Sequence, residues 1–114
     1  MTTERQRRVE LLAFQRTLTP LLGVRIYDTS PFTGRIVAVT VHWPADCTNM
    51  VGVAVWHGNT RLCPREGYLA YENSPVTYAF NEEVRQAEEV WVDMRNGDTV
   101  NTYTVAVTVK VQEA

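Results

Sequence analysis

Lysine is almost missing from this chain: its eleven cationic residues are ten Arg and one Lys. Thirteen acidic residues outnumber them, for a net charge of −2, so no overall field draws the surface toward nucleic acid or an anionic membrane. Long apolar runs are also absent, and no stretch approaches the ~18 residues of a membrane-spanning helix. Arg5, Arg7 and Arg8 stand near the start, but Glu10, Gln15 and Arg16 break the apolar stretch behind them, which makes a poor secretion signal. Cysteine occurs twice, too rarely for a disulfide framework. No Asn-x-Ser/Thr acceptor is present. These gaps point to an intracellular product, or one assembled inside a cell.

What is there suits one domain. A chain of 114 residues, 45% hydrophobic and 21% charged, has the composition of an ordinary globular unit with a single core. Its clearest pattern lies at the end. Tyr103, Val105, Val107, Val109 and Val111 alternate with Thr102, Thr104, Ala106, Thr108 and Lys110. Period two places the valines on one face of a strand, and a second sheet must cover them. Asn96-Gly97-Asp98 reads as the turn before this strand.

Similar stretches recur upstream, at Val24 to Tyr27, Arg35 to Trp43, Met50 to Trp56, Arg61 to Cys63, Tyr68 to Glu72, Val76 to Phe80 and Glu89 to Arg95. In the second, Val37, Val39, Val41 and Trp43 are expected on one face, with Ile36, Ala38, Thr40 and His42 on the other. Asn81 to Glu88 reads as a loop with a helical turn. The expectation is an all-β fold: an antiparallel β-sandwich, jelly-roll-like, of about eight strands over residues 23–114.

Residues 1–22 read differently. Thr3-x-x-Gln6 fits a capping box, and Leu11, Phe14, Leu18 and Leu22 recur at helical spacing until Pro20 interferes. A short helix on the domain is expected, or an extended arm ordered by a partner. Arg5, Arg7 and Arg8 give a weaker case for nucleic acid, diluted by Glu4 and Glu10.

The chemistry-bearing residues are sparse. His42, Cys47, His57 and Cys63 have zinc-binding side chains, but not the paired spacing of a finger or ribbon. The alternation puts His42 outward and His57 inward, on opposite faces. Cys47 and Cys63 read as buried free thiols, with a disulfide between them as the alternative. No nucleophile elbow, phosphate loop, His-Glu-x-x-His or Cys-x-x-Cys occurs, and Ser30 and Ser74 precede prolines, as turn residues do. Asp93 shares a face with Arg95 and reads as a paired charge. No enzyme, cofactor or metal is expected.

Binding is the better prospect. Trp56 alternates with Gly52 and Ala54, and Trp91 with Asp93 and Arg95. Both indoles are expected on the outer surface of a sheet, where a tryptophan anchors a protein or carbohydrate partner. The small Gly52 and Ala54 suggest close approach of another backbone or chain. Leu11, Phe14, Leu18, Trp56 and Trp91 are the candidate partner-binding residues.

Phe32-Thr33-Gly34-Arg35-Ile36-Val37-Ala38-Val39-Thr40-Val41-His42-Trp43-Pro44 carries a resemblance. So do Cys47 with Asn49, Val51-Gly52-Val53-Ala54-Val55, and Cys63-Pro64-Arg65-Glu66-Gly67-Tyr68. Across residues 32–111 the chain resembles small β-sandwich proteins encoded beside capsid genes in tailed viruses of bacteria and archaea. The resemblance implies a capsid decoration or cementing protein of the virion, assembled in the host cytoplasm. It implies a homotrimer, a terminal arm that reaches a neighbour, and the major capsid protein as partner, with neither nucleic acid nor membrane involved. It carries over no catalytic residue. The rivals are a carbohydrate-binding module, which needs two coplanar exposed rings, and a cupin-like metalloenzyme, which needs His42 and His57 to converge.

Overall fold

A computed structural model describes residues 7–44, 47, 49–64, 67–70 and 75–114. It contains eight strands: β1 (Val9–Leu18), β2 (Gly23–Thr29), β3 (Gly34–His42), β4 (Val51–His57), β5 (Thr60–Cys63), β6 (Val76–Val84), β7 (Glu89–Asn96) and β8 (Tyr103–Glu113). None of the described residues is helical. One four-stranded sheet has the order β1-β8-β3-β6 and the other β2-β7-β4-β5, with every pair antiparallel. The chain crosses between sheets at every connection except the β4–β5 hairpin. This is the double Greek-key winding of a jelly roll.

The valine strips set this architecture. Val105, Val107, Val109 and Val111 on β8 face Val51, Val53 and Val55 on β4 and Val90, Val92 and Met94 on β7, all buried in one layer. Two polar side chains seal the ends. Asn96 gives its amide N–H groups to the carbonyls of Leu18, Thr19 and Asn101, and the Ser30 hydroxyl donates to the Phe32 carbonyl. A buried polar group costs little when it is paired in this way.

Four expectations change. The first 22 residues are not a helix over their described part: Val9–Leu18 is an edge strand paired along its length with β8. Leu12, Phe14 and Leu18 are an even number of residues apart, so a strand buries all three together, and β8 offers a ladder that a lone helix lacks. The capping-box residues Thr3 and Gln6 lie outside the described residues, as do Glu4 and Arg5. Second, Asn81 to Glu88 is mostly strand, because β6 runs to Val84. Third, β3 bulges between Ile36 and Ala38. The extra residue resets the alternation, so Ile36 faces the core with Val39 and Val41, and Val37 does not. The upstream strand expected from Tyr68 is reduced to a single bridge between Leu69 and Val53, and Tyr71 and Glu72 lie outside the described residues.

Candidate functional site

The outer face of the β2-β7-β4-β5 sheet carries both candidate tryptophans. Tyr27 pairs with Trp91 across β2 and β7, Trp91 with Trp56 across β7 and β4, and Trp56 with Arg61 across β4 and β5. Neighbouring strands lie ~4.8 Å apart, so rings standing up from adjacent strands meet face to face. Tyr27 and Trp91 stack at 5.5 Å, and Trp91 and Trp56 at 4.9 Å with planes 7° apart. The guanidinium of Arg61 closes the row 5.2 Å over Trp56, while that of Arg25 lies 5.3 Å over Trp91. The Trp91 Nε1–H donates to the Gly58 carbonyl at 2.9 Å. The indoles are on the outer surface, as the alternation requires. Each spends ring face on a neighbour, so they stand half-buried and edge-on to solvent.

A second row lies beside the first. Asp93 is buried between Arg25 and Arg95, whose Nε atoms stand 3.8 and 3.6 Å from its oxygens, and the Tyr68 hydroxyl donates to it at 3.0 Å. Burial and the bond to Asp93 push the Tyr68 hydroxyl above its ordinary pKa. Tyr68 reaches Asp93 by lying over Gly52, where a Cβ would come within 2.9 Å of its own. The small residue on β4 does mark a close approach, but by a side chain of the same molecule.

At the end of the sandwich where β7 turns into β8, three connections are clamped together. Leu21 N–H donates to Asp98 O, Asn96 N–H to Leu22 O, and Gly97 N–H to Met50 O. Asp98 braces its own loop by accepting from the N–H groups of Val100 and Asn101, the Asn101 amide and the Tyr103 hydroxyl. Those donors hold its carboxyl well below the usual aspartate range. On this braced plate stand four exposed apolar side chains: Leu21, Leu22, Met50 and Val100, of which Leu21 is 68% and Val100 76% exposed. Leu21 is held at φ 62°, a left-handed conformation that a leucine rarely adopts.

The opposite end is polar. His57, the last residue of β4, sets Nδ1 3.0 Å from Glu82 on β6 and Nε2 3.1 Å from Glu88 in the β6–β7 turn. The ring bridges the two carboxylates and so ties the two sheets together. Because the carboxylates lie on opposite ring nitrogens, the three groups do not converge on one ion. Among the described residues no cluster of His, Cys, Asp and Glu is arranged to hold a metal. His42 lies on the outside of the other sheet, so the two imidazoles do not meet and the cupin-like geometry is not formed. Cys47 and Cys63 are buried and not joined in a disulfide, and burial pushes the Cys63 thiol up to about 11 despite the nearby Arg61 cation.

The five candidate partner-binding residues are therefore not one surface. Trp56 and Trp91 touch, while Phe14 and Leu18 are buried in the chain's own core. Their even spacing fills the space under β1, which the helical reading hid. Leu11 is exposed on the edge strand. Sequence reasoning missed Tyr27, Arg25, Arg61 and the apolar end plate. Leu21-Leu22 directly after Pro20 was the available signal for the plate, since an apolar pair in a turn has no strand face to bury it.

Comparison with known proteins adds no assignment: no family model matches the sequence, no curated protein matches it, and no solved structure matches it.

Proposed function

We propose that this protein is a non-enzymatic structural module that self-associates and seats its apolar loop end on a larger protein assembly, in the manner of the decoration proteins that bind a virion capsid. The observation that carries the reading is the plate of Leu21, Leu22, Met50 and Val100. These side chains are exposed, yet the backbones of Leu21, Leu22 and Met50 are fixed by hydrogen bonds between three loops, and Val100 N–H donates to Asp98 within its own loop. A rigid apolar surface loses little conformational entropy when a partner covers it. Covering all four contributes on the order of 5 kcal/mol before the costs of association. The partner in this reading is the major capsid protein, and the place of action is the virion.

The test is co-sedimentation with capsids assembled from the major capsid protein of the same genome. The expected result is saturable pelleting of the native chain. The double variant Leu21→Ser, Val100→Ser should stay in the supernatant while melting like the native chain. Failure of the native chain to pellet with capsids overturns the reading.

A carbohydrate platform draws less support. A sugar packs on an open ring face, and Trp56 is stacked between Trp91 and Arg61. Binding to a glycan array, lost on Tyr27→Ala, would revive it.

A further inference from the structure

We infer that β1 is a self-complementary edge through which two copies of this chain pair antiparallel about a two-fold axis at Ala13, joining their β1-β8-β3-β6 sheets into one. A sheet-edge dimer forms whatever the loop end binds, so it stands apart from the capsid reading.

The backbone fixes which residues are available. Glu113 N–H donates to Arg8 O at 2.8 Å, and the register places Val9 opposite Gln112. Arg8 and its even-numbered successors therefore turn their backbone groups toward β8. Val9, Leu11, Ala13, Gln15 and Thr17 turn theirs to the other side, where β1 is the terminal strand of its sheet. An edge of this kind templates another strand unless something blocks it. β1 has no proline, no lysine and no register shift against β8. Among the described residues the guard on this edge is local: the Arg16 guanidinium donates to the Gln15 carbonyl at 3.0 Å.

The side chains then select the register. A two-fold pairing must use the outward-turned residues as hydrogen-bonded pairs, and centring it on Ala13 does so. Ala13 meets the partner's Ala13, Leu11 meets the partner's Gln15, and Val9 meets the partner's Thr17. The intervening residues form the closer, non-hydrogen-bonded pairs. There Leu12 meets the partner's Phe14, which carries the core across the junction. Glu10 meets the partner's Arg16, and Arg16 the partner's Glu10. Glu10 and Arg16 are both exposed, have opposite charge and stand three residues either side of Ala13. Neither makes an ion pair in its own chain among the described residues. Any other centre breaks both charge pairs, whereas this one matches them at once. The sequence likeness implied three-fold assembly; the edge implies two-fold.

The test uses the full chain in analytical ultracentrifugation. The native protein is expected at twice its 13.0 kDa mass at micromolar concentration. Glu10→Arg and Arg16→Glu should each weaken the dimer about tenfold, since each brings like charges together twice. The double variant Glu10→Arg, Arg16→Glu should return to within about threefold of the native value, which a merely structural role would not produce. Under mild oxidation Ala13→Cys should cross-link to a dimer, because the two Cα atoms of that pair stand ~5.5 Å apart, within disulfide reach. Gln15→Cys should not, its partner copy lying ~13 Å along the strand. All these positions are exposed, and circular dichroism confirms the fold of each variant. A monomer or trimer, failure of the double variant to recover, or cross-linking through Gln15→Cys in place of Ala13→Cys overturns the inference.

Discussion

Trp56 and Trp91 stack with ring centres 4.9 Å apart on the outer face of a sheet, each on a strand whose other side is buried valine. The contact follows from register, because the two residues are direct partners across β4 and β7. It makes the outer face partly a second core. Replacing either indole with alanine should cost about 2 kcal/mol, less than for a fully buried tryptophan. The two losses should not add. A double-mutant cycle read by urea unfolding should give a coupling of about 1 kcal/mol. Strict additivity would show that the stack contributes nothing beyond the area each ring buries.

Gly34 and Gly52 both sit under close neighbours, but the neighbours differ. A Cβ on Gly34 would meet the backbone carbonyl oxygen of Gln112 at 1.9 Å, so β3 and β8 must separate. A Cβ on Gly52 would meet the Cβ of Tyr68 at 2.9 Å, and the Tyr68 segment, tied to β4 by the isolated bridge between Leu69 and Val53, can shift outward. Gly34→Ala is expected to cost about 3 kcal/mol and Gly52→Ala about 1 kcal/mol in denaturant unfolding. The reverse order would mean that Tyr68 is fixed more firmly than the strand pair.

Asp98 links stability to acid. Its folded pKa is depressed, first by the Val100 N–H and then by the other donors of its loop. A depressed carboxyl contributes stability that is fully present above its ordinary pKa of 3.8 and is lost as the pH falls below that value. Asp98→Ala should therefore lower the urea midpoint at neutral pH. The gap between variant and native chain should narrow steadily below pH 3.8. A gap independent of pH would mean that the loop is braced by other contacts.

Cys63 should be inert in the folded chain. Its thiol is pushed up to about 11 by burial, and Cys47 is fully buried. At pH ~8, where a free thiol is partly ionised, a thiol reagent should modify neither residue until denaturant unfolds the chain. Rapid labelling of one cysteine in the native state would reveal local opening around β5.

The fold was legible where burial alone decides. The β8 valines and the Val51-Val53-Val55 set face inward as period two requires. It was illegible where pairing decides. Leu11, Phe14 and Leu18 fit helical spacing, while Leu12, Phe14 and Leu18 fit a strand, and only the open edge of β8 selects between them. The bulge at Ile36 and Ala38 hides inside the unbroken apolar run Ile36-Val37-Ala38-Val39, where no polar residue marks the change of face. The site divides in the same way. Alternation placed Trp56 and Trp91 outside, but their stacking needs the β4–β7 register, and the end plate needs three loops distant in sequence to meet.

Leu21 offers the sharpest separation of stability from binding. It holds φ at 62°, where the Cβ itself costs about 1 kcal/mol, and its side chain is mostly in solvent. Its N–H is nonetheless required, because it donates to Asp98 O across the loop end. Leu21→Gly keeps that N–H and removes the conformational cost, so it should raise stability by roughly 0.5–1 kcal/mol in denaturant unfolding. The same change removes the apolar side chain from the plate and should weaken the proposed binding to capsids. Leu21→Ala separates the two effects: it keeps the backbone cost, trims the apolar contact and should leave stability nearly unchanged. A leucine retained against its own backbone preference is what a binding surface requires, and a loss of stability in Leu21→Gly would show instead that the side chain serves the fold.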